Sequence, residues 1–207
     1  HVTEDGVVDL LDYETYFQLL EAPVPQARDG IVSALAADGL VRRNEAGGWD
    51  ITNLGGLLIA KKLDAFPGLK RKAVRVIQYR GVGRVETIRE QVGGKGYANG
   101  FAGLVGHINA LLPSNEVIRQ ALREVVPMYP PLAVRELVAN ALIHQDFSMT
   151  GSGPMFEIFD DRIEITNPGE PLVDVRRFVD SPPRSRNEAT ASLMRRFRIC
   201  EERGSGI

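Results

Sequence analysis

Cysteine is almost missing from this chain: Cys200 is the only one among 207 residues. A single thiol excludes an internal disulfide framework and fits a reducing cytoplasm. A net charge of one sign is missing too. Lys and Arg number 25 against 27 Asp and Glu, a formal charge of -2. Bulk electrostatics therefore make no case for nucleic acid, and any such contact needs a local basic patch. No apolar run approaches the length of a membrane span, and the N-terminus lacks the basic-then-apolar order of a signal peptide. There are no internal repeats or low-complexity segments. The GxxxxGK[ST] phosphate loop is also absent, which removes the motif a translocating motor would need. Gly93-Gly94-Lys95-Gly96-Tyr97 has the wrong spacing. It follows what reads as a polar helical stretch instead of a strand, so it is expected to be a turn.

What is present is ordinary globular material, 43% apolar and 25% charged, long enough for one large or two small domains. Residues 9 to 21 read as one helix stopped by Pro23 and Pro25. A second helix is expected over 27–37, with Asp38-Gly39 as its stop. Leu40 to Arg43 and Trp49 to Thr52 look like short strands around a Gly-rich turn, and a third helix follows over 53–63. This order is compatible with a winged-helix unit. Arg42 and Arg43 then fall at the base of the wing, where they could meet DNA phosphates. A packing or dimerisation module with two surface arginines fits the same pattern.

Lys70-Arg71-Lys72 reads as a solvated boundary before a strand over 73–79. Helices are expected over 101–112 and again over 116–126. From Pro168 to Pro183 the chain reads as a loop, followed by Arg186 and a helix over about 189–197. An arginine-bearing loop of that kind is what a phosphate-sensing lid requires.

The most informative stretch is Arg135-Glu136-Leu137-Val138-Ala139-Asn140-Ala141-Leu142-Ile143-His144. It is built of strong helix formers with no internal Gly or Pro. Glu136, Asn140 and His144 share one face at i, i+4 and i+8. A carboxylate and an amide one turn apart can hold a water and a cation side by side; a solvated polar stripe has the same spacing. Next come two alternating runs, Phe156 to Phe159 and Arg162 to Thr166, joined by Asp160-Asp161 as a hairpin. The second leads directly into Asn167-Pro168-Gly169. The chain ends on Gly204-Ser205-Gly206-Ile207, a turn able to present backbone N–H groups to an anion.

In combination these motifs resemble the GHKL (Bergerat-fold) ATPases. Arg135 to His144 resembles the N box, Asn167-Pro168-Gly169 the adenine-reading turn, and Arg203 to Gly206 the second glycine box. The closer likeness is to the divergent branch labelled RecG-like helicase or Schlafen/AlbA-type ATP-binding transcriptional regulator. Ile143-His144, Asp146, Asp161 to Ile165, Arg186-Asn187 and Glu202 complete that pattern. The branch's N-terminal AlbA-like domain is missing, and the chain looks truncated after Ile207.

The resemblance implies an α+β protein. A winged-helix-like segment over 1–68 precedes a GHKL-type α/β sandwich over 69–207, with helices on one face of a mixed sheet. It implies ATP and Mg²⁺ as cofactors. Glu136 would be the catalytic base that orients water toward the γ-phosphate, and Asn140 would ligate Mg²⁺. Asn167 would read adenine and Gly169 would let the backbone approach it. His144 and Arg186 would line the nucleotide, and Gly204, Ser205 and Gly206 would cradle phosphate. Two departures stand out: Asn167 replaces the usual Asp, and Glu170-Pro171 replaces a second glycine. The expected function is an ATP-binding regulatory module, with slow hydrolysis left open and dimerisation on nucleotide binding implied. The alternative is a DNA-binding or protein-interaction module with a vestigial nucleotide site.

Overall fold

Where one helix was expected over 9–21, there are two, α1 (Glu4–Leu10) and α2 (Tyr13–Leu19). Asp12 explains the break. Its side chain accepts from Thr15 N–H at 3.2 Å and caps α2, as Thr3 caps α1 from Gly6. The computed structural model describes residues 2–119, 122–172 and 185–200, and for 115–125 the backbone only. Helix α3 (Arg28–Ala37) leads into a hairpin of β1 (Val41–Arg43) and β2 (Trp49–Ile51), and α4 (Asn53–Ile59) follows, capped by the Thr52 hydroxyl. Val2 bridges Trp49 from the other side of β2, a single antiparallel pairing beside the hairpin.

The main sheet has four strands in the order β4-β3-β7-β8. β3 (Arg75–Arg80) pairs antiparallel with β4 (Glu86–Val92) and parallel with β7 (Met155–Ile158), and β7 pairs antiparallel with β8 (Ile163–Thr166). The polar stretch expected to be helical before Gly93 is therefore the edge strand β4. Its residues are exposed throughout, so no burial alternation marks it as a strand in the sequence. A second correction concerns residues 116–126. They form the antiparallel strands β5 (Ser114–Arg119) and β6 (Leu122–Pro127), where a helix was expected. Two adjacent pairs of β-branched residues, Val117-Ile118 and Val125-Val126, are the signal that favours strands here.

Three further helices are described: α5 (Tyr97–Leu111), α6 (Pro131–Ile143) and α7 (Glu188–Arg196). One apolar cluster runs from Val7 to Ile199. It joins the N-terminal helices, α5, α6 and α7 to the sheet face that carries Val76, Phe156 and Ile158. α7 fastens to the N-terminal helices by polar contacts as well. Arg196 donates to Asp38 at 2.6 Å, and Asp38 accepts from the Tyr16 hydroxyl at 2.7 Å. Arg198 pairs with Glu21 nearby.

The other sheet face carries a smaller cluster of Ile77, Tyr79 and Phe159, with Met155 packed beside it. Glu157 stands among them only 1% exposed. A buried carboxylate needs compensation. Here it accepts from Arg84 at 2.6 and 2.9 Å and from the Tyr79 hydroxyl at 3.2 Å. The Arg84 guanidinium, more than burial opposes it, holds the Glu157 carboxyl below its usual range.

Replacing Arg84 by Ala is expected to lower the urea midpoint. Because the native carboxyl titrates below its unfolded value of 4.5, the gap to wild type is fully present above that pH and closes as pH falls. Urea titrations at several pH values check it; a gap that widens in acid would contradict the pairing.

Candidate functional site

α6 begins at Pro131, whose fixed φ suits the first helical position, and buries Val134, Val138, Ala139, Ala141, Leu142 and Ile143. That burial leaves the Glu136, Asn140 and His144 stripe outward. Asn140 and His144 are exposed, and Glu136 is partly buried. Glu136 lies 3.4 Å from Arg135, which also donates to the Arg198 carbonyl and stands over the Phe101 ring at 5.8 Å. Cys200, the last described residue, lies within electrostatic range of Arg195, Glu136 and Arg135; burial raises its thiol's pKa.

The C-terminal end of α6 is where the candidate residues converge. The Asp146 amide donates to the Pro168 carbonyl at 2.7 Å, which ties the chain after α6 to the Asn167-Pro168-Gly169 turn. Arg186 donates to the Asp146 carboxylate at 3.0 Å and to the Glu170 carbonyl, so it clasps the same turn. Loss of water around its ring on the packed side, and then the Arg186 charge, lower the pKa of the otherwise exposed His144. Gly169 has φ +114°, and a Cβ there would meet Asp146 Cβ at 2.8 Å and Arg186 at 2.9 Å. The turn thus requires glycine both for its backbone conformation and for the approach of these two side chains.

Asn187 secures the other side. Its side-chain amide donates to the Ile143 carbonyl at 2.6 Å and the Gln145 carbonyl at 2.7 Å. Lys72 was expected at a solvated boundary but is 5% exposed. Its ammonium donates to the Met149 carbonyl at 2.6 Å and the Asp146 carbonyl at 3.4 Å, and faces the Phe147 ring. Burial lowers its pKa, an effect that Asp146 opposes. Gln145, fully buried, donates to the Tyr97 hydroxyl at 2.9 Å, which in turn donates to the Lys72 carbonyl at 2.6 Å. Asp146 and Asn187 appear in the motif pattern without an assigned role. Lys72, Gln145 and Tyr97 have no sequence signal, since their partners are backbone groups and each other.

Gly204, Ser205 and Gly206 lie outside the described residues, as does 173–184 of the expected lid loop. Arg42 and Arg43 stand far along the chain, on β1. Arg42 is 74% exposed beside Asp50 at 3.6 Å, and Arg43 lies over the Trp49 ring at 5.0 Å. Among the described residues no three His, Cys, Asp or Glu side chains gather closely enough to hold a metal, and no helix is long and apolar enough to cross a membrane. Asn140, exposed one helical turn from Glu136, offers a single side-chain oxygen, the hard donor type that Mg²⁺ takes alongside its own waters.

Residues 151–207 match the family model described as "Putative ATP-dependent DNA helicase recG C-terminal". That span includes β7, β8, the Asn167 turn and α7, and marks it as similar to a RecG C-terminal, ATPase-like domain. No curated protein matches the chain. Among solved structures, the DIP2311 protein from Corynebacterium diphtheriae is similar in fold, with a TM-score of 0.72 at 21% identity. The match covers 97% of this chain and 39% of that one, so the chain spans well under half the length of that structure.

Gly169→Ala is expected to destabilise the protein by about 1–3 kcal/mol, because it combines a disfavoured φ with displacement of the Arg186–Asp146 pair. Chemical denaturation measures this; an unchanged midpoint would show that the turn relaxes freely.

Proposed function

We propose that this chain is an ATP-binding module in which α6, the Asn167-Pro168-Gly169 turn and the start of α7 form one nucleotide site. The observation that carries the reading is the clasp at the end of α6. Asp146, Pro168 and Arg186 bring the outward stripe of α6 and the turn into one place. The match of residues 151–207 to a RecG C-terminal, ATPase-like model supports it.

In this reading Asn167 presents its amide to the adenine edge, accepting from the exocyclic amine and donating to a ring nitrogen. Gly169, at φ +114°, lets the turn that carries Asn167 pass close against Asp146 and Arg186. Asn140 gives its side-chain oxygen to Mg²⁺, and the metal supplies charge neutralisation for the phosphates when bound. Glu136 holds a water by its carboxylate and can take its proton. Arg135 pairs with that carboxylate at 3.4 Å and fixes one side of it. His144, its pKa lowered by its surroundings, offers an imidazole for hydrogen bonding at the exposed end of the stripe. Gly204, Ser205 and Gly206 supply phosphate-binding amides. The regulatory role, transcriptional control in particular, is the part of the proposal that rests on resemblance.

A second reading is favoured by one observation, the 74% exposure of Arg42 on the hairpin of the N-terminal segment. That segment then contacts duplex DNA, with the nucleotide as its effector. DNA binding that weakens steeply with salt, and loses about two units of log–log slope when Arg42 and Arg43 are both replaced, is its expected signature. Equal slopes in both proteins would remove the wing from the interface.

Calorimetric titration of Mg·ATP into the full 207-residue chain tests the main reading. Saturable binding is expected, weakened by about tenfold or more in Asn140→Ala. Glu136→Ala is expected to keep binding and to lose about 10²–10⁴-fold of any hydrolysis. Turnover retained in that variant would remove Glu136 from the catalytic role, and absence of binding in the unaltered chain would overturn the proposal.

A further inference from the structure

Behind the Gly93–Tyr97 turn lies a cavity of about 180 Å³ that the nucleotide reading leaves unused. It sits between the start of β3 and one face of α5. Val74, Val76 and Leu104 give it apolar walls, and Leu142 closes it from α6. Leu142 is about 200° around the helix from both Asn140 and His144, at 100° per residue. The cavity therefore touches α6 from the side opposite the Glu136, Asn140 and His144 stripe, and is a separate site.

α5 contributes Gly100, Gly103 and Leu104 to the lining of the cavity, and Gly103 stands at its solvent-exposed mouth. A Cβ at Gly103 would meet nothing within 4 Å. Two polar groups mark its ends. Lys95 lines it beside the turn, exposed to solvent and within electrostatic range of Asp12, whose carboxylate is already engaged by Asn99 and Thr15. His107 lines the other end, and its Nε2 is buried with no hydrogen-bond partner. A buried ring nitrogen without a partner carries a desolvation cost that a ligand atom would relieve. Gly96 and His107 are about 16 Å apart along α5, at 1.5 Å per residue. The volume is only slightly above the roughly 150 Å³ that accommodates a single benzene ring. Long and narrow together call for an unbranched apolar chain.

We propose that this slot binds a medium-chain carboxylic acid with a hydroxyl or carbonyl oxygen at its far end. The carboxylate lies at Lys95, the chain runs along Val74, Val76, Leu104 and Leu142, and the far oxygen gives His107 Nε2 the partner it lacks. Charge selects the acid end, and the unpartnered ring nitrogen at the far end selects an oxygen-bearing chain over a plain hydrocarbon one.

Amide-resolved NMR titration of the full chain with 8-hydroxyoctanoate, octanoate and octanol tests this. Saturable shifts confined to residues 93–97 and 103–107 are expected for both acids, with the hydroxy acid roughly fivefold tighter. His107→Phe should make the two acids equal. Lys95→Gln should weaken both acids and leave octanol unchanged. Both substitutions lie at partly or fully exposed positions and should leave the melting temperature unchanged. The proposal is overturned by no saturable shift at millimolar acid, by unchanged acid affinity in Lys95→Gln, or by equal affinity of the two acids for the unaltered protein.

Discussion

The carbonyl groups at the C-terminal end of α6 have no helical donors, and the candidate site is arranged around supplying them. Asn187 donates to two of the carbonyls there, those of Ile143 and Gln145. Lys72 donates to two more in the following loop, those of Asp146 and Met149. Each donor comes from a different part of the chain, one just before α7 and the other just before β3. Meeting the backbone's hydrogen-bonding requirement therefore draws both segments to the end of α6. The Asn167 turn arrives by the same logic in reverse, since its Pro168 carbonyl takes the Asp146 amide.

Legibility in the sequence follows from how local each signal is. The α6 stripe, the β7–β8 hairpin and the β1–β2 hairpin are set by patterns within about ten residues, and they stand where they were expected. The α+β class follows from them. The failures are non-local. β4 carries no alternation because it lies at a sheet edge, and only its pairing with β3 makes it a strand. Residues 114–127 are short apolar runs that suit either period, and pairing across the hairpin decides. Lys72 reads as a surface lysine because its partners, the Asp146 and Met149 carbonyls and the Phe147 ring, lie far along the chain. In the candidate site, the sequence marks the α6 stripe and the Asn167-Pro168-Gly169 turn, which are proposed to face the nucleotide. It leaves out Asp146, Asn187 and Gln145 as holders of the frame, since a side chain bound to a distant carbonyl leaves no spacing to read.

α7 links the two ends of the molecule. Just before it, Arg186 and Asn187 hold the α6 end and the turn. At its C-terminal end Arg196 reaches Asp38, and Phe197 packs edge-on against Tyr16 at 5.9 Å. Burial and the Asp38 carboxylate together push the Tyr16 phenol well above its ordinary pKa, which keeps it a donor in that contact. The N-terminal helices and the sheet region consequently share one apolar cluster.

The parallel pairing of β3 with β7 has a bearing on how the chain comes together in time. Arg75 lies opposite Met155, so the two central strands are separated by α5, the β5–β6 hairpin and α6. Until β7 has been made, β3 and β4 form only a two-stranded ribbon, which is marginal in water by itself. On a ribosome the apolar inner side of β3 would wait, uncovered by its parallel neighbour, through the synthesis of those intervening elements. A long-range closure of this kind is the slow event in sheet formation. It makes the passage from residue 80 to residue 155 the interval in which the nascent chain is most open to wrong partners.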